Sequence, residues 1–441
     1  LFVTLSLLLA IRAMQKEDRK SSILAGGSVG LALATKFSAA PLLLPLFLAH
    51  ALSGRGSLKE RWPFQAKRLA LALGAGLIIF FLIHPYAFLD AERFFAGLRE
   101  QSEMVRGIRD YTFTRQFAGT LPYLFFIHQL TIFGLGLPVG LVAWAGLLFA
   151  IGRVVAKKRR VELLLLAWVL PYLLITGSFQ VKFLRYLLPI TPLLLLYGAQ
   201  MLITTLDWVR RDHEALAPWV RACIALIVGF AAFYALAFTN IYTRPHTAIR
   251  AAEWLTSQQL TDDTTFLREH WDDSIPNLGH YQVQELPLYD PDGPAKTQVL
   301  VQGLSRGDYL ILYSSRLYGS IPRLTGRYPD SARYYQLLFQ GDLGYQLVHF
   351  EATYPSLLGV TFTNNTFSRS KIPVPDLLAQ DRPAFLTFDL GHADDSLIVF
   401  DHPKVLIFEN QGRFSETRLQ RLLSGPRIGT PTFDTMVMPS S

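Results

Sequence analysis

The sequence is poor in disulfide-forming residues and in common cofactor motifs. Its 441 residues include a single cysteine, Cys223, so no disulfide can form within the chain. It has no glycine-rich nucleotide-binding motif, no GxSxG nucleophile motif and no Cys/His spacing of a zinc site. Any part of the chain outside a membrane must therefore be stabilised by its own hydrophobic core.

Charged residues are also scarce within the apolar runs that dominate the first 239 residues. A bilayer core about 30 Å thick is crossed by roughly 20 helical residues. The pattern predicts a polytopic α-helical membrane protein, in which the short adjoining runs 22–36 and 37–52 tilt, form a re-entrant hairpin or cross a thinned region. The eight runs are 1–11, 22–36, 37–52, 69–83, 122–151, 161–177, 186–205 and 219–239.

Basic residues are unevenly distributed among the loops between these runs. One set of loops carries 17 basic residues and the alternate set carries 7. The positive-inside rule places the basic set in the cytoplasm. We therefore expect an integral, multi-pass plasma-membrane protein whose chain is extracytoplasmic after about residue 240. The basic set lies within 12–20, 55–68, 153–160 and 210–221, and the alternate set is 84–120 and 178–185.

The net charge of +8 combines two different regions. Residues 1–240 have 25 basic and 12 acidic side chains, whereas residues 241–441 have 17 and 22. The basic excess reflects membrane topology and contact with anionic lipid, so a nucleic-acid partner is not expected.

Two domains follow from these patterns: a transmembrane region of about eight spans over residues 1–240, and a soluble α/β domain over 241–441. Because Leu1 begins inside an apolar run, we expect the chain to be a fragment that lacks N-terminal spans. Strands are predicted at 264–269, 283–289, 308–314, 345–351 and 396–408, and helices at 246–260, 295–304, 331–340 and 415–423.

Cations at the predicted outer face are candidate ligands for a lipid phosphate. Lys36 lies between two short apolar runs, where it either serves function or extends to lipid headgroups. Lys182 and Arg185 occupy one short outer loop, against the positive-inside bias. Arginine can hold a phosphate with two parallel hydrogen bonds and lysine adds a point charge, which favours a functional interpretation of this pair.

The segment from His84 to about Thr120 is predicted to form an amphipathic surface helix after a proline break. Tyr86 and Asp90 in this segment are individually more typical of an aromatic belt and a helix cap than of catalysis. The cluster Glu269–Asp273 follows a predicted strand. A solvated loop with a helix cap is slightly favoured there over a sugar or metal site.

Three segments, in this order, resemble the dolichyl-phosphate-mannose–protein mannosyltransferase family, whose bacterial members include the aminoarabinose transferase that modifies lipid A. The resemblance covers roughly residues 1–240 and implies the GT-C class of membrane glycosyltransferases. The C-terminal domain, with Phe400-Asp401-His402-Pro403, is similar to domains of uncharacterised bacterial proteins of this type, and its role is not implied. The three segments are Gly30–Ala39 with Leu44-Pro45-Leu46, His84–Asp90, and Lys182–Pro189.

The resemblance implies inverting transfer of a hexosyl or pentosyl group from a polyprenyl-phosphate donor to a protein, lipid or glycan acceptor, either without a metal or with a divalent one. Lys182 and Arg185, with Lys36, would stabilise the phosphate leaving group. The other candidate substrate-binding residues in the matching segments are His84, Tyr86 and Tyr186.

A carboxylate base should deprotonate the acceptor hydroxyl. In the family this base lies in the first outer loop, which this chain is expected to lack, so no catalytic base is assigned and Asp90 is only a weak candidate. Two alternatives stay open. One is a transporter or lipid flippase, although no internal repeat supports it. The other is an inert membrane protein whose outer domain binds glycans.

Overall fold

The computed structural model of the protein describes residues 1–54, 57–157, 159–381 and 383–425. Arg55 and Lys158, two of the basic residues behind the predicted topology, lie outside the described residues. The chain forms two compact units. Unit 1 comprises Leu1–Arg109 and Pro122–Val228, and unit 2 comprises Asp110–Leu121 and Gly229–Ser441. Unit 2 thus includes two short stretches, Asp110–Leu121 and residues 229–240, that lie before the predicted boundary at residue 240.

The membrane region is helical, as the apolar runs predict. Five stretches among the described residues are long and apolar enough to cross a membrane: Lys59–Ile83, Leu137–Ala156, Arg160–Gly177, Thr191–Asp212 and Glu214–Ser257. The predicted total of about eight spans stays a prediction. The helices are α1 Phe2–Lys16, α2 Arg19–Thr35, α3 Leu43–Ala51, α4 Leu58–Ile83, α5 Tyr86–Leu89, α6 Ala91–Val105, α7 Leu124–Gln129, α8 Leu137–Lys157, α9 Arg160–Gly177, α10 Thr191–Asp212 and α11 Ala217–Thr239.

Local sequence explains where several of these helices begin and end. Asp18 caps α2, because its carboxylate accepts a 2.6 Å hydrogen bond from the backbone N–H of Ser21. A π turn at Leu130–Gly134 separates α7 from α8, directly before the segment Leu135-Gly136-Leu137-Pro138. The surface helix α6 ends at Val105, so the prediction of helix as far as Thr120 is wrong beyond that residue. The segment that follows packs within unit 2 instead.

Unit 2 is an α/β domain, as predicted. Its main sheet has the order β2-β1-β3-β8-β4, in which β1 is parallel to β2 and β3, and β8 is antiparallel to β3 and β4. A second sheet has the order β5-β6-β7. The strands are β1 Thr265–Glu269, β2 Gln282–Leu286, β3 Tyr309–Leu312, β4 Tyr345–Glu351, β5 Ser356–Leu357, β6 Val360–Thr363, β7 Leu386–Asp389 and β8 Val405–Asn410.

Four helices of unit 2 lie where the sequence predicts them, to within three residues at each end, whereas the short helices at 376–379 and 395–398 were not predicted. The predicted strand at 396–408 is wrong in its first part, because residues 395–398 form helix α16 and the strand begins only at Val405. Asp394 caps that helix through the N–H of Ser396, a local signal that outweighs the apolar composition of the segment. The helices are α12 Thr247–Ser257, α13 Pro294–Arg306, α14 Pro329–Gln340, α15 Asp376–Ala379, α16 Asp395–Ile398 and α17 Glu416–Leu423.

Candidate anion-binding site

Lys36 lies at the end of α2, where the backbone leaves the helix. Its φ of −158° is extended, and the 3₁₀ turn Phe37–Leu42 follows at once. The side chain is exposed, and its Nζ lies 4.8 Å from the centre of the Tyr186 ring. Lys36 therefore contacts a residue 150 positions further along the chain, in the loop that carries the other two candidate cations.

Arg185 lies in that loop, within the 3₁₀ turn Leu184–Leu187. Its guanidinium carbon is 4.3 Å from the centre of the Phe183 ring, and the Phe183 and Tyr186 rings meet edge to face at 5.7 Å. The hydroxyl of Tyr172 on α9 donates a 2.8 Å hydrogen bond to the backbone carbonyl of Tyr186 and holds the turn in place. The rings of Tyr186 and Phe183 thus contact each other, and each lies against one exposed cation, Lys36 or Arg185.

The charges of Lys36 and Arg185 act on each other, and among the described residues neither cation is in an ion pair with a carboxylate. Like charges held close together repel, and a bound anion relieves that repulsion. Arginine offers a planar fork of donors to a phosphate. The pair is therefore suited to an anionic group that approaches from the exposed side.

Lys182 is placed differently from Arg185. Its side chain is completely buried, and Nζ donates a 3.0 Å hydrogen bond to the backbone carbonyl of Gln180. In this arrangement the ammonium group stabilises the loop from within. Direct contact between Lys182 and a phosphate stays a prediction that would require the loop to move.

The segment around His84 joins the same region through aromatic contacts. The His84 ring lies 6.0 Å from the ring of Phe94 on α6, and Phe94 meets Phe37, the neighbour of Lys36, at 6.3 Å. At the end of α6, the backbone N–H groups of Gln180 and Val181 donate to the carbonyl of Val105 at 2.9 and 3.1 Å. The segments Gly30–Ala39, His84–Asp90 and Lys182–Pro189 are therefore neighbours in the folded unit 1.

Two further candidates lie in the same segment as His84. Tyr86 is 70% exposed on the short helix α5. Asp90 caps α6, since its Oδ1 accepts a 3.3 Å hydrogen bond from the N–H of Arg93. This is the structural role that the sequence favoured for Asp90, and a part in catalysis stays untested. No group of three or more His, Cys, Asp or Glu side chains in the described part of the chain is arranged to hold a metal ion.

Sequence reasoning missed the parts of this site that arise from distant contacts. Phe94 lies within the segment that the sequence predicts as an amphipathic surface helix, and its contact with Phe37 depends on how α6 packs against a distant part of the chain. Tyr172 lies in an apolar run with no feature that distinguishes it from other core tyrosines. A local signal existed only for Phe183, which alternates with cations in the sequence Lys182-Phe183-Leu184-Arg185.

The acidic cluster that follows β1 in unit 2 is not a solvated loop, contrary to the interpretation slightly favoured above. The side chains of Glu269 and Asp272 are both buried. Burial raises the pKa of Glu269 to about 8 and that of Asp272 to about 6, the latter opposed mainly by the nearby charge of Arg316. Trp271 and Asp273 remain exposed.

The N-terminal part of the chain matches a known family. The model of the dolichyl-phosphate-mannose-protein mannosyltransferase family matches residues 1–80, the segment that contains Lys36. No curated protein sequence matches the chain significantly.

Among solved structures the chain is similar to the oligosaccharyltransferase of Archaeoglobus fulgidus. The apo form is 14% identical, with a TM-score of 0.37 over 75% of this chain and 54% of that chain. The form tethered to an acceptor peptide is 14% identical, with a TM-score of 0.34 over 78% and 53%. The complex with zinc and sulfate is 13% identical, with a TM-score of 0.34 over 92% and 68%. The chain thus spans about half the length of the first two structures.

Proposed function

We propose that this protein is a membrane glycosyltransferase that moves a sugar from a polyprenyl-phosphate donor to an acceptor at the predicted extracytoplasmic face. The observation that carries the proposal is the position of Lys36 and Arg185. These two exposed cations come from distant parts of the chain, and each lies over one of two aromatic rings that contact each other. The family match over residues 1–80 supports glycosyl transfer as the reaction class, since it includes Lys36.

The geometry suits stabilisation of a leaving phosphate. The acceptor hydroxyl gives its proton to a carboxylate base, for which no residue is assigned, and its oxygen bonds to the anomeric carbon. The bond from that carbon to the phosphate oxygen breaks at the same time, and negative charge grows on the phosphate. Arg185 would hold this charge with two parallel hydrogen bonds while Lys36 adds a point charge, and both interactions strengthen as the bond breaks. Tyr186 would support the cations, and the apolar surface nearby would hold the lipid chain.

Transfer of labelled sugar tests this proposal. Membranes that contain the protein are supplied with polyprenyl-phosphate donors carrying radiolabelled hexoses or pentoses, and label in protein, lipid and glycan fractions is counted. We expect Arg185→Ala to lower transfer about 100-fold, the effect typical of losing one donor to a developing anion. Arg185→Lys should retain part of the activity, because it keeps the charge but loses the fork.

Arg211→Ala is the matched control, since it removes an exposed arginine at the end of α10, away from the Lys36–Arg185 pair. Unchanged transfer in Arg185→Ala, in a protein that still inserts and folds, would remove the assigned phosphate role. Binding of the lipid donor with no transfer to any acceptor would instead favour a flippase or an inert glycan-binding protein.

A further inference from the structure

The main sheet of unit 2 contains a topological switch point. From β1 the chain passes to β2 on one side, and it returns through α13 to β3 on the other side of β1. Because β1 is parallel to both neighbours, the carboxyl ends of β1 and β3 lie at one edge while their connections diverge. Open α/β sheets characteristically bind ligands in the crevice outside such ends.

A cluster of polar side chains lies at this edge of the sheet, where the carboxyl ends of β1 and β3 meet. The carboxylate of Asp272, after β1, accepts 2.9 Å hydrogen bonds from the backbone N–H and the hydroxyl of Ser314, after β3. The guanidinium of Arg316 lies 3.7 Å from Asp272 and 3.6 Å from Asp273. Acceptors and donors are thus fixed side by side, and Asp273 and part of Arg316 remain accessible to a ligand.

Exposed aromatic side chains accompany these polar groups. Trp271 precedes Asp272 and is 60% exposed, and Phe400 is also 60% exposed. The guanidinium of Arg316 lies 5.3 Å from the centre of the Phe400 ring. Trp271 has a φ of 71°, a left-handed conformation that bulky residues rarely adopt. An exposed indole held in an unfavourable backbone conformation contributes little to the core, which is the pattern expected of a side chain retained for binding.

Behind this surface lies a buried carboxyl group with unused hydrogen-bonding capacity. Oε1 of Glu269 accepts a 2.5 Å hydrogen bond from the hydroxyl of Tyr335, while Oε2 is buried and has no hydrogen-bond partner among the described residues. Unsatisfied polar atoms are rare in protein interiors. The charges of Glu269 and Asp272 also interact, so the buried group is coupled to the polar edge.

We propose that this edge, formed by Trp271, Asp272, Asp273, Arg316 and Phe400, binds a pyranose ring of a carbohydrate. The C–H face of a sugar is apolar and would stack on the exposed indole. Its adjacent hydroxyls would donate to the exposed carboxylate of Asp273 and accept from Arg316, and charged partners make the stronger hydrogen bonds. Two carboxylates at the edge disfavour a phosphate as ligand. The site lies in unit 2 and does not depend on the proposed transfer reaction.

Binding to immobilised oligosaccharides tests this inference. The whole protein, in nanodiscs to avoid sugar-based detergents, is applied to surfaces bearing oligomers of mannose, glucose, galactose and N-acetylglucosamine. We expect binding to at least one of these oligomers. It should be weakened about tenfold or more in Trp271→Gly and in Asp273→Asn, which remove the stacking surface and one acceptor.

Trp271→Gly also separates binding from folding, because glycine tolerates a φ of 71° and the variant should unfold at the same or a higher temperature than the parent. Phe385→Ala, at an exposed aromatic residue elsewhere in unit 2, is the control and should bind normally. The inference is overturned if the parent binds none of the four oligomers, if it binds a divalent cation at this edge and no sugar, or if Trp271→Gly binds as the parent does.

Discussion

At the scale of single residues, two buried acidic side chains of unit 2 have raised pKa values. Burial raises the pKa of Glu269 to about 8, and burial with the charge of Asp394 raises that of Asp395 to about 7. Since both values exceed those of an unfolded chain, the folded protein retains protons that the unfolded chain releases between about pH 4 and pH 8. The stability linked to these groups is therefore present at low pH and is lost as pH rises through the folded pKa values.

We accordingly expect the thermal midpoint of unit 2, followed by tryptophan fluorescence in the whole protein, to fall from about pH 6.5 to pH 8. Below this range His402, whose pKa burial lowers to about 4, acts in the opposite direction. Each retained proton contributes about 1.4 kcal/mol per pH unit to the free energy of unfolding. Glu269→Gln keeps an acceptor for Tyr335 but removes the ionisable group, so its midpoint should depend less on pH. A midpoint that rises over this range in the parent protein would contradict the prediction.

At the scale of elements, the packing of α2 against α4 depends on a glycine. A Cβ atom at Gly26 would overlap the backbone carbonyl of Ala72 on α4, so the two helices approach as closely as their backbones permit. Small residues at helix contacts allow this approach in membranes, where van der Waals packing replaces the hydrophobic effect.

Gly26→Ala should therefore force the helices apart and destabilise unit 1 by about 1–3 kcal/mol, the usual cost of overpacking. The measurement is the temperature at which the detergent-solubilised protein aggregates. Gly74→Ala on α4 is the control, because no atom beyond the neighbouring residues and backbone of its own helix lies within 4 Å of the added methyl group. Equal thermal stability of the two variants would show that the helices separate at little cost.

A second element-scale feature is the segment Asp110–Leu121, which folds within unit 2. The guanidinium of Arg323 donates hydrogen bonds to the carbonyls of Ala118 and Gln116 at 3.0 and 2.8 Å, and Arg115 pairs with Asp110 at 2.7 Å. Burial lowers the pKa of Arg323 to about 10, so it remains charged at neutral pH. Hydrogen bonds from a charged donor replace a regular helix as the source of order in this segment.

Arg323→Ala should release the segment, with a loss of roughly 2 kcal/mol of local stability. We expect trypsin to cleave the whole protein within residues 106–121 about tenfold faster in this variant, as measured by mass spectrometry of timed digests. Arg306→Ala, at an exposed position of α13, should digest like the parent. Unchanged cleavage in Arg323→Ala would show that other contacts hold the segment.

At the scale of the whole molecule, the chain combines a basic membrane region with an acidic α/β domain. The loop charges predict that this domain is extracytoplasmic. The single native cysteine, Cys223, makes the prediction simple to test, because only one substitution is needed to obtain a background without thiols.

In a Cys223→Ser background, Phe385→Cys should react with a membrane-impermeant maleimide in intact cells, since this position of unit 2 is fully exposed. Arg211→Cys, in a predicted cytoplasmic loop, should react only after the membrane is permeabilised. The reverse labelling pattern would invert the predicted topology and with it the face at which Lys36 and Arg185 are placed.

Much of the fold was predictable from the sequence because its signals are local. Hydropathy is a property of each run, and a helix satisfies its own backbone hydrogen bonds within a membrane, so the apolar runs indicate helices without knowledge of their neighbours. Alternating patterns in residues 241–441 indicated the α/β domain in the same way. The strand predicted at 396–408 failed where a capping residue, Asp394, overrode composition.

Single residues of the candidate site were predictable from the sequence, but their arrangement in space was not. The sequence by itself determined that Lys36 and Arg185 are unusual cations beside apolar runs, because charge in such a context is costly wherever it occurs. Only the tertiary structure decided that Lys36 meets Tyr186, that Lys182 is buried beneath its loop, and that Asp272 reaches Ser314. These outcomes depend on packing between segments far apart in the chain, and no local pattern records which distant side chain will fill a given space.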